Sequence, residues 1–210
     1  MSVIKLDPAI SRIKKQQTFV MIKPDGVMRG LVGDILGRIE KSGLKIVAMK
    51  MINATREQVI AHYPMDDQAW IDRLGEKGLG TFEKLGLDAK EFLGTDEKSV
   101  IGAGVASSLV DYMTSGPVVP IIVEGIQAVD MVRKIIGHTL PFKADMGTIR
   151  GDYSVDSPAI ANTEGRAIHN LIHASELLEE AHKEMAIWFN SDEIYSYIRT
   201  GEEIMYNKTY

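Results

Sequence analysis

The 210-residue chain contains no cysteine. That single absence removes disulfides, thiolate metal sites and a cysteine nucleophile. Aromatic residues make up only 7% of the chain, and the stretches that read as strands hold few of them. A sheet face that stacks on unpaired bases is therefore disfavoured. No apolar run approaches the length needed to span a bilayer, and the first residues, Met1 to Pro8, lack the apolar core of a signal peptide. The net charge of −5 disfavours a general binder of nucleic-acid backbones. The expectation is a cytoplasmic protein with neither a membrane nor an obligatory nucleic acid as partner.

What is present has the apolar and charged fractions of an ordinary globular chain, long enough for one sizeable domain, residues 1–210. After a basic leader (residues 1–16), Thr18 to Ile22 is a nearly continuous apolar run, read as a buried strand. It enters a turn at Lys23-Pro24-Asp25-Gly26. Val27 to Lys41 has helical spacing and Leu44 to Met51 reads as a strand. Thr55 to Tyr63 is a short helix with Thr55 as its cap and Pro64 as its stop. Residues 65–104, rich in glycine and charge, read as an inserted segment of short helices without a large core, and the glycine runs at 75–80 and 102–104 read as flexible loops. Ala106 to Met113 is helical, Val118 to Val123 should be a central strand, and Gln127 to Ile136 is a helix. His138 to Arg166 is a long loop, and loops of that length are usually functional. A short strand at His173, a last helix and an aromatic-rich tail from Asn190 follow; the tail should pack on the body or on a neighbouring subunit. This order of elements predicts an α+β sandwich with helices on one face of the sheet.

The run Asn170-Leu171-Ile172-His173-Ala174-Ser175 and the helix after it are the focus of the chain. Ser175 is a candidate cap for that helix. Its apolar stripe is Leu177, Ala181 and Trp188, flanked by Leu178, Met185 and Phe189, and Glu184 falls on the same stripe. A carboxylate on a buried face needs a partner, and His173 at the helix entrance is the candidate. An unperturbed imidazole is mostly neutral at pH 7 and so is a competent nucleophile. Lys23, Tyr63, Arg133, Thr139, Arg150, Asn170, His173 and Ser175 all sit at element ends or in loops, where sites form. Three cations, hydroxyls and a histidine suit a polyphosphate. Singly, each has an ordinary reading, as a turn lysine or a solvated helix arginine. The set acquires meaning only if it converges in space.

Taken in order, Gln17 to Val27 with Arg29-Gly30-Leu31-Val32-Gly33, His62-Tyr63, Met113 to Val119, Gly147 to Asp152 and Asn170 to Ser175 resemble the nucleoside diphosphate kinase family over residues 17–189. The resemblance implies a ferredoxin-like βαββαβ fold with a four-stranded antiparallel sheet and helices packed on it. It implies transfer of a γ-phosphate from ATP or another nucleoside triphosphate to a nucleoside diphosphate by a ping-pong route through phosphohistidine, in the service of nucleotide pools. His173 matches the nucleophile, Glu184 the carboxylate that orients it and Ser175 the hydroxyl beside it. Arg133, Thr139 and Arg150 match phosphate contacts, Lys23 and Asn170 ribose contacts with Lys23 also near the moving phosphate, and Tyr63 the tyrosine of the phosphate pocket. Mg2+ would arrive with the nucleotide rather than on protein ligands, and the assembly would be a homo-hexamer or tetramer.

Three departures from the family pattern stand out. Alanine follows the histidine where glycine is usual. The position of the phenylalanine that stacks on the base falls at Val105, leaving either apolar contact from Val105 or an aromatic of the insert, Phe82 or Phe92, to serve the base. Residues 65–104 and about ten residues near Ser157 to Arg166 are additions, and the first is expected to form a helical flap beside the cleft, with 190–210 as a C-terminal extension. The rival reading is a non-catalytic nucleotide-binding or scaffold relative. Its usual mark is loss of the histidine or arginines, and here they are present.

Overall fold

The computed structural model describes residues 15–205. The leader before residue 15 and the end of the tail after residue 205 lie outside the described residues. The strands are β1 (Gln16–Ile22), β2 (Lys45–Met49), β3 (Ile52–Asn53), β4 (Pro117–Gly125) and β5 (Ile172–Ala174). The main sheet runs β2-β4-β1-β5, every pair antiparallel, and β3 adds to the start of β4. This is the ferredoxin-like α+β arrangement, with five strands where four were expected. The extra strand is the continuation of β2 along β4. Lys50 N donates to Pro120 O (3.2 Å), but Pro120 has no N–H to return. The ladder lapses there and resumes at Ile52 opposite Val118.

Helices cover both faces of the sheet, not one. Alternation along β1 makes this possible: Phe19 and Met21 enter one core with Val59, Val110, Met113, Met185 and Trp188, whereas Val20 and Ile22 enter the other with Ile35, Ile39, Val132 and Ile136. The helices are α1 (Pro24–Met28), α2 (Val32–Lys41), α3 (Arg56–His62), α4 (Gln68–Lys84), α5 (Ala89–Leu93), α6 (Lys98–Met113), α7 (Ala128–Ile136), α8 (Ile149–Tyr153), α9 (Pro158–Thr163), α10 (Leu178–Trp188) and α11 (Glu202–Met205). The single helix expected over 27–41 is broken in two at Gly30, whose φ of +69° ends α1. Thr55 caps α3 as expected, in a reciprocal capping box with Gln58.

Segment 65–104 is helical, but only α5 is short: α4 has 17 residues and α6 has 16, and α6 crosses position 104 without a break. The glycine runs read as loops are helix interiors. A Cβ on Gly75 would stand 1.9 Å from Lys98 O, and one on Gly102 would stand 2.0 Å from Ile71 O. The glycines let the backbones of α4 and α6 touch. The stretch 138–166 holds a 3-10 turn at Pro141–Lys143 with α8 and α9, so it is far from structureless. The tail lies along the outer edge of β2: Tyr195 N donates to Val47 O (2.8 Å), and Tyr197 and Arg199 donate to Ile46 O and Leu44 O. Lys45, buried there, pairs with Glu124 and Glu202 (3.0 Å each). An otherwise open sheet edge is thereby covered.

Candidate active site

β5 carries the histidine. His173 sits opposite Met21 in the sheet, and after Ser175 the chain turns back so that α10 runs under the strand. That turn answers the question which spacing left open: His173 Nε2 is 2.9 Å from Glu184 Oε1, and Ser175 Oγ donates to Glu184 Oε2 (2.5 Å). Ser175 therefore does not cap α10. Glu180 does so, its Oε2 accepting from Glu176 N (2.5 Å) and Leu177 N (3.3 Å). The expected stripe holds at Ala181, Met185, Trp188 and Phe189 but fails at Leu177, which is 67% exposed because it precedes the first helical turn and points away from the core.

A neutral imidazole carries one proton. With Glu184 Oε1 as acceptor that proton belongs on Nε2, which leaves the lone pair of His173 Nδ1 free. Burial, reinforced by Lys23 and Arg150, lowers the His173 pKa well below the ordinary value. Burial also raises the Glu184 carboxyl, opposed by His62 and by the Ser175 hydrogen bond. His62 lies edge-on to His173 with ring centroids 4.5 Å apart. Its Nδ1 accepts from Trp188 Nε1 (3.3 Å) and lies 3.5 Å from Glu184 Oε1. Burial drives its pKa to about 3, so it supports the pair without charge.

Lys23, directly after β1, is buried and gives a hydrogen bond to Asn170 Oδ1 (2.8 Å). Asn170 Nδ2 donates to Thr139 O (3.0 Å). Thr139 thus enters the cluster through its backbone, with its side chain on the exposed surface. Arg150, on α8, is buried and donates from Nε to Asn170 O (3.1 Å) and from its two terminal nitrogens to Gly137 O (2.9 Å) and Ile172 O (2.5 Å). Its guanidinium grips the backbone on both sides of Leu171, just before His173. Arg133, near the end of α7, is exposed and paired with Glu176 (3.2 Å). Tyr63 stands edge-on to His173 at 6.0 Å, its hydroxyl buried and without a partner among the described residues. Lys23, Arg150 and Arg133 all lie near enough to His173 to disfavour its charged form. Val105 is not in this cluster. It lies two turns earlier on α6 and lines a separate cavity. Phe82 is buried against Phe92 (6.1 Å), so it does not serve as a base platform.

Two residues escaped the sequence reading. Asp25, read only as part of a turn, is buried; its Oδ2 accepts from Leu171 N (3.1 Å) and its Oδ1 from the Tyr112 hydroxyl. Leu171 has φ +67°, a left-handed backbone that a leucine rarely adopts. Its carbonyl accepts from Lys23 N (2.8 Å). The kink separates Asn170, which holds Lys23, from His173, and Asp25 fixes it. Nothing in sequence spacing marks a buried aspartate, although the Lys-Pro-Asp-Gly turn places it beside the site.

Among the described residues, His62, His173 and Glu184 form a group with ligand atoms within 4.8 Å of one another. Two nitrogens and one carboxylate, already hydrogen-bonded to each other, are a poor donor set for magnesium, which requires oxygens.

The comparisons with known proteins point to one family. The family model described as nucleoside diphosphate kinase matches residues 16–70 and 96–194. A nucleoside diphosphate kinase of Pyrobaculum aerophilum is 46% identical over 179 residues, covering 85% of this chain and 97% of that protein. One from Archaeoglobus fulgidus is 38% identical over 193 residues, covering 92% and 99%. The crystal structure of an NDP kinase from Pyrobaculum aerophilum superimposes with a TM-score of 0.81 at 44% identity, covering 87% of this chain and all of that one. A transition state mimic of the Borrelia burgdorferi enzyme with bound vanadate and ADP superimposes with a TM-score of 0.72 at 35% identity, covering 91% and 97%.

Proposed function

The chain belongs to the nucleoside diphosphate kinase family, and from that premise we propose that it moves the γ-phosphate of a nucleoside triphosphate onto a nucleoside diphosphate in two half-reactions through His173. The observation that carries the proposal is the neutral His173 ring, with Nε2 committed to Glu184 and Nδ1 free, near Lys23, Arg133 and Arg150. In the first half-reaction the Nδ1 lone pair forms a bond to the γ-phosphorus as the bond from that phosphorus to the bridging oxygen breaks. The diphosphate leaves with the electron pair. The proton stays on Nε2, hydrogen-bonded to Glu184, whose carboxylate balances the positive phosphoimidazole. In the second half-reaction a terminal oxygen of the acceptor diphosphate attacks the same phosphorus and the P–N bond breaks. Arg150, Arg133 and Lys23 stabilise charge on the transferring oxygens, and Asn170, Thr139 and Tyr63 position the nucleotide. Magnesium belongs to the incoming nucleotide and neutralises its phosphates.

The test is incubation with γ-labelled ATP and magnesium followed by a chase. An acid-labile, alkali-stable label that GDP or CDP then removes is expected. Absence of label on folded protein that binds nucleotide would overturn the proposal in favour of a scaffold relative. A nucleic-acid role has no support, since helices cover both faces of the sheet. No helix among the described residues is long and apolar enough to cross a membrane. We read the chain as one domain acting in the cytoplasm. Exposed apolar residues such as Met49, Leu178, Ile198 and Ile204 support a homo-hexamer or tetramer, which sedimentation distinguishes from a monomer.

Lys23 adds a pH dependence. Burial, then Arg150, lowers its pKa to about 7. Bound phosphates favour the charged form and raise that value. Binding therefore takes up a proton above pH 7, and affinity falls as pH rises. Between pH 7.5 and 9, where the diphosphate itself no longer titrates, calorimetry should show a loss of roughly tenfold per unit, the limit for one linked proton. A flat affinity would show that Lys23 stays charged without nucleotide.

A further inference from the structure

A cavity of about 160 Å³ opens between the added helix α4 and the 3-10 turn Pro141–Lys143. Lys77, Thr81 and Lys84 line it from α4 at i, i+4 and i+7, which is one face of that helix. Leu140, Phe142 and Lys143 form the opposite wall. No residue of the His173 cluster lines it. The two sites are nevertheless joined through the chain. Leu140 directly follows Thr139, whose carbonyl accepts from Asn170 Nδ2 (3.0 Å). A group held in the cavity would therefore bridge α4 to the loop that borders the phosphate cluster.

The charge of the walls is what sets this cavity apart. Three lysines surround it, in a chain whose net charge is −5. Among the described residues, Lys45, Lys50 and Lys98 are the lysines that form ion pairs; Lys77, Lys84 and Lys143 form none. Glu76, the one acidic group of the lining, is committed to Lys98 Nζ (2.7 Å). The Thr81 hydroxyl donates back to Lys77 O (2.9 Å). Lys143 Nζ stands over the Phe142 ring, 5.6 Å from its centroid. Like charges around one space repel, and a multivalent anion between them removes the repulsion. Lysine is a point-charge binder of phosphate, so three lysines match a group with several phosphate charges. A water needs only about 10–15 Å³ of open space, which leaves room here for a short phosphate chain. Lys77, Thr81 and Lys84 lie in residues 71–95, the stretch that the family model leaves unmatched. The α4 wall is therefore a feature of this chain's added segment and not of the family pattern.

We propose that this cavity is a second anion site, separate from the His173 cluster, that takes a di- or triphosphate group. Lys77 and Lys84 hold the group from the added helix and Lys143 holds it from the turn. The same chemistry is offered by a free polyphosphate and by the phosphates of a second nucleotide, whose base would rest on the half-exposed Phe142 ring. The proposal goes beyond the phosphoryl-transfer reading and does not depend on it, since binding here uses neither His173 nor a transfer step.

The test is calorimetry on the full chain, with ADP added to saturation and tripolyphosphate after it. The His173 cluster takes one equivalent of ADP, and one further equivalent of anion is expected. If that further equivalent is ADP, the site takes a second nucleotide; if ADP binds once and tripolyphosphate supplies the further equivalent, it takes a free polyphosphate. Two variants place it. Lys84→Glu combined with Lys143→Glu reverses charge on both walls and should weaken the further equivalent at least about tenfold, the scale of a lost charge-assisted contact. Gly80→Leu keeps all three lysines and fills the space: Gly80 lines the cavity inside α4, and a Cβ there meets nothing within 4 Å. The same loss is expected, and the change also improves helix propensity. Lys41→Glu, an exposed lysine on α2 outside the cavity, is the control and should have an effect of about twofold at most, because salt screens distant surface charge. Absence of any further equivalent overturns the proposal, as does a further equivalent that survives either cavity variant. An equal loss in Lys41→Glu overturns it too, since the anion would then answer only to overall charge. Failure of the kinase reading looks different, because it shows as absence of label on His173 and not as a change in this second equivalent.

Discussion

His173→Ala should lower the turnover of nucleoside diphosphate phosphorylation by at least about 10⁴-fold, with no phosphoenzyme formed, because losing a nucleophile costs on that scale. Nothing else in the cluster replaces Nδ1. His62 is buried, aligned edge-on and committed to Trp188, and the Ser175 hydroxyl is engaged in its hydrogen bond to Glu184. Glu184→Gln separates orientation from charge. The amide oxygen still accepts from Nε2 and holds the ring, but the counter-charge to the phosphoimidazole is gone. A drop of about 10²-fold is expected, the usual cost of one lost charge-stabilising contact. Rapid-quench measurement of phosphohistidine checks both variants, and equal rates for wild type and Glu184→Gln would remove the carboxylate from the mechanism. The depressed pKa carries its own sign. The neutral ring is the reactive form, and burial, Lys23 and Arg150 hold His173 neutral below its ordinary value of 6.5. Imidazole nitrogen resonances of His173 should therefore stay neutral through pH 6.5. A midpoint at 6.5 would show that neither burial nor the two cations act on it.

The parts of this site legible in sequence are those whose chemistry is local. Lys23 after a strand, Arg150 in a long connection and His173 before a helix could each be marked as an end-of-element polar group. Long periodic stretches were legible too: β1, β4, α3 and α7 fall where pattern placed them, within a residue or two. What failed had its cause in tertiary packing. The glycines of α4 and α6 carry poor helix propensity, yet they are helical because close backbone contact between the two helices outweighs it. Ser175 had the composition of a cap but found a buried carboxylate instead. Helices on the second face of the sheet were missed because a continuous apolar strand does not say what covers each side. Asp25 and Tyr112 were missed for the same kind of reason: 87 residues separate them in sequence, and their meaning depends on the backbone of Leu171.

Asp25→Ala should be the most damaging change that touches no atom of the reacting phosphate. It strips a partner from two buried groups at once, Leu171 N and the Tyr112 hydroxyl. Each of the two unpaired groups costs about 1–3 kcal/mol. Together these lower the melting temperature by roughly 5–15 °C in a domain of this size. The kink also sets the direction in which the chain leaves Asn170 toward His173, and a misplacement of the order of 1 Å costs about 10²-fold in rate. Asp25→Asn separates these effects. Its carbonyl oxygen still accepts from Leu171 N and its amide donates to the Tyr112 oxygen, so the kink survives and turnover should stay within about tenfold of wild type, since only one charge has changed. What Asn loses is the negative charge that raises the Lys23 pKa. Nucleotide affinity in Asp25→Asn should therefore begin its decline at a lower pH than in wild type, the sign expected when a stabilising anion is removed from a buried lysine. A protein in which Ala and Asn behave alike in melting temperature, turnover and pH profile would show that Asp25 only fills space. If instead Ala loses rate while Asn shifts the binding profile, one carboxylate serves both halves of the site, holding the backbone that aims the nucleophile and keeping the lysine beside it charged.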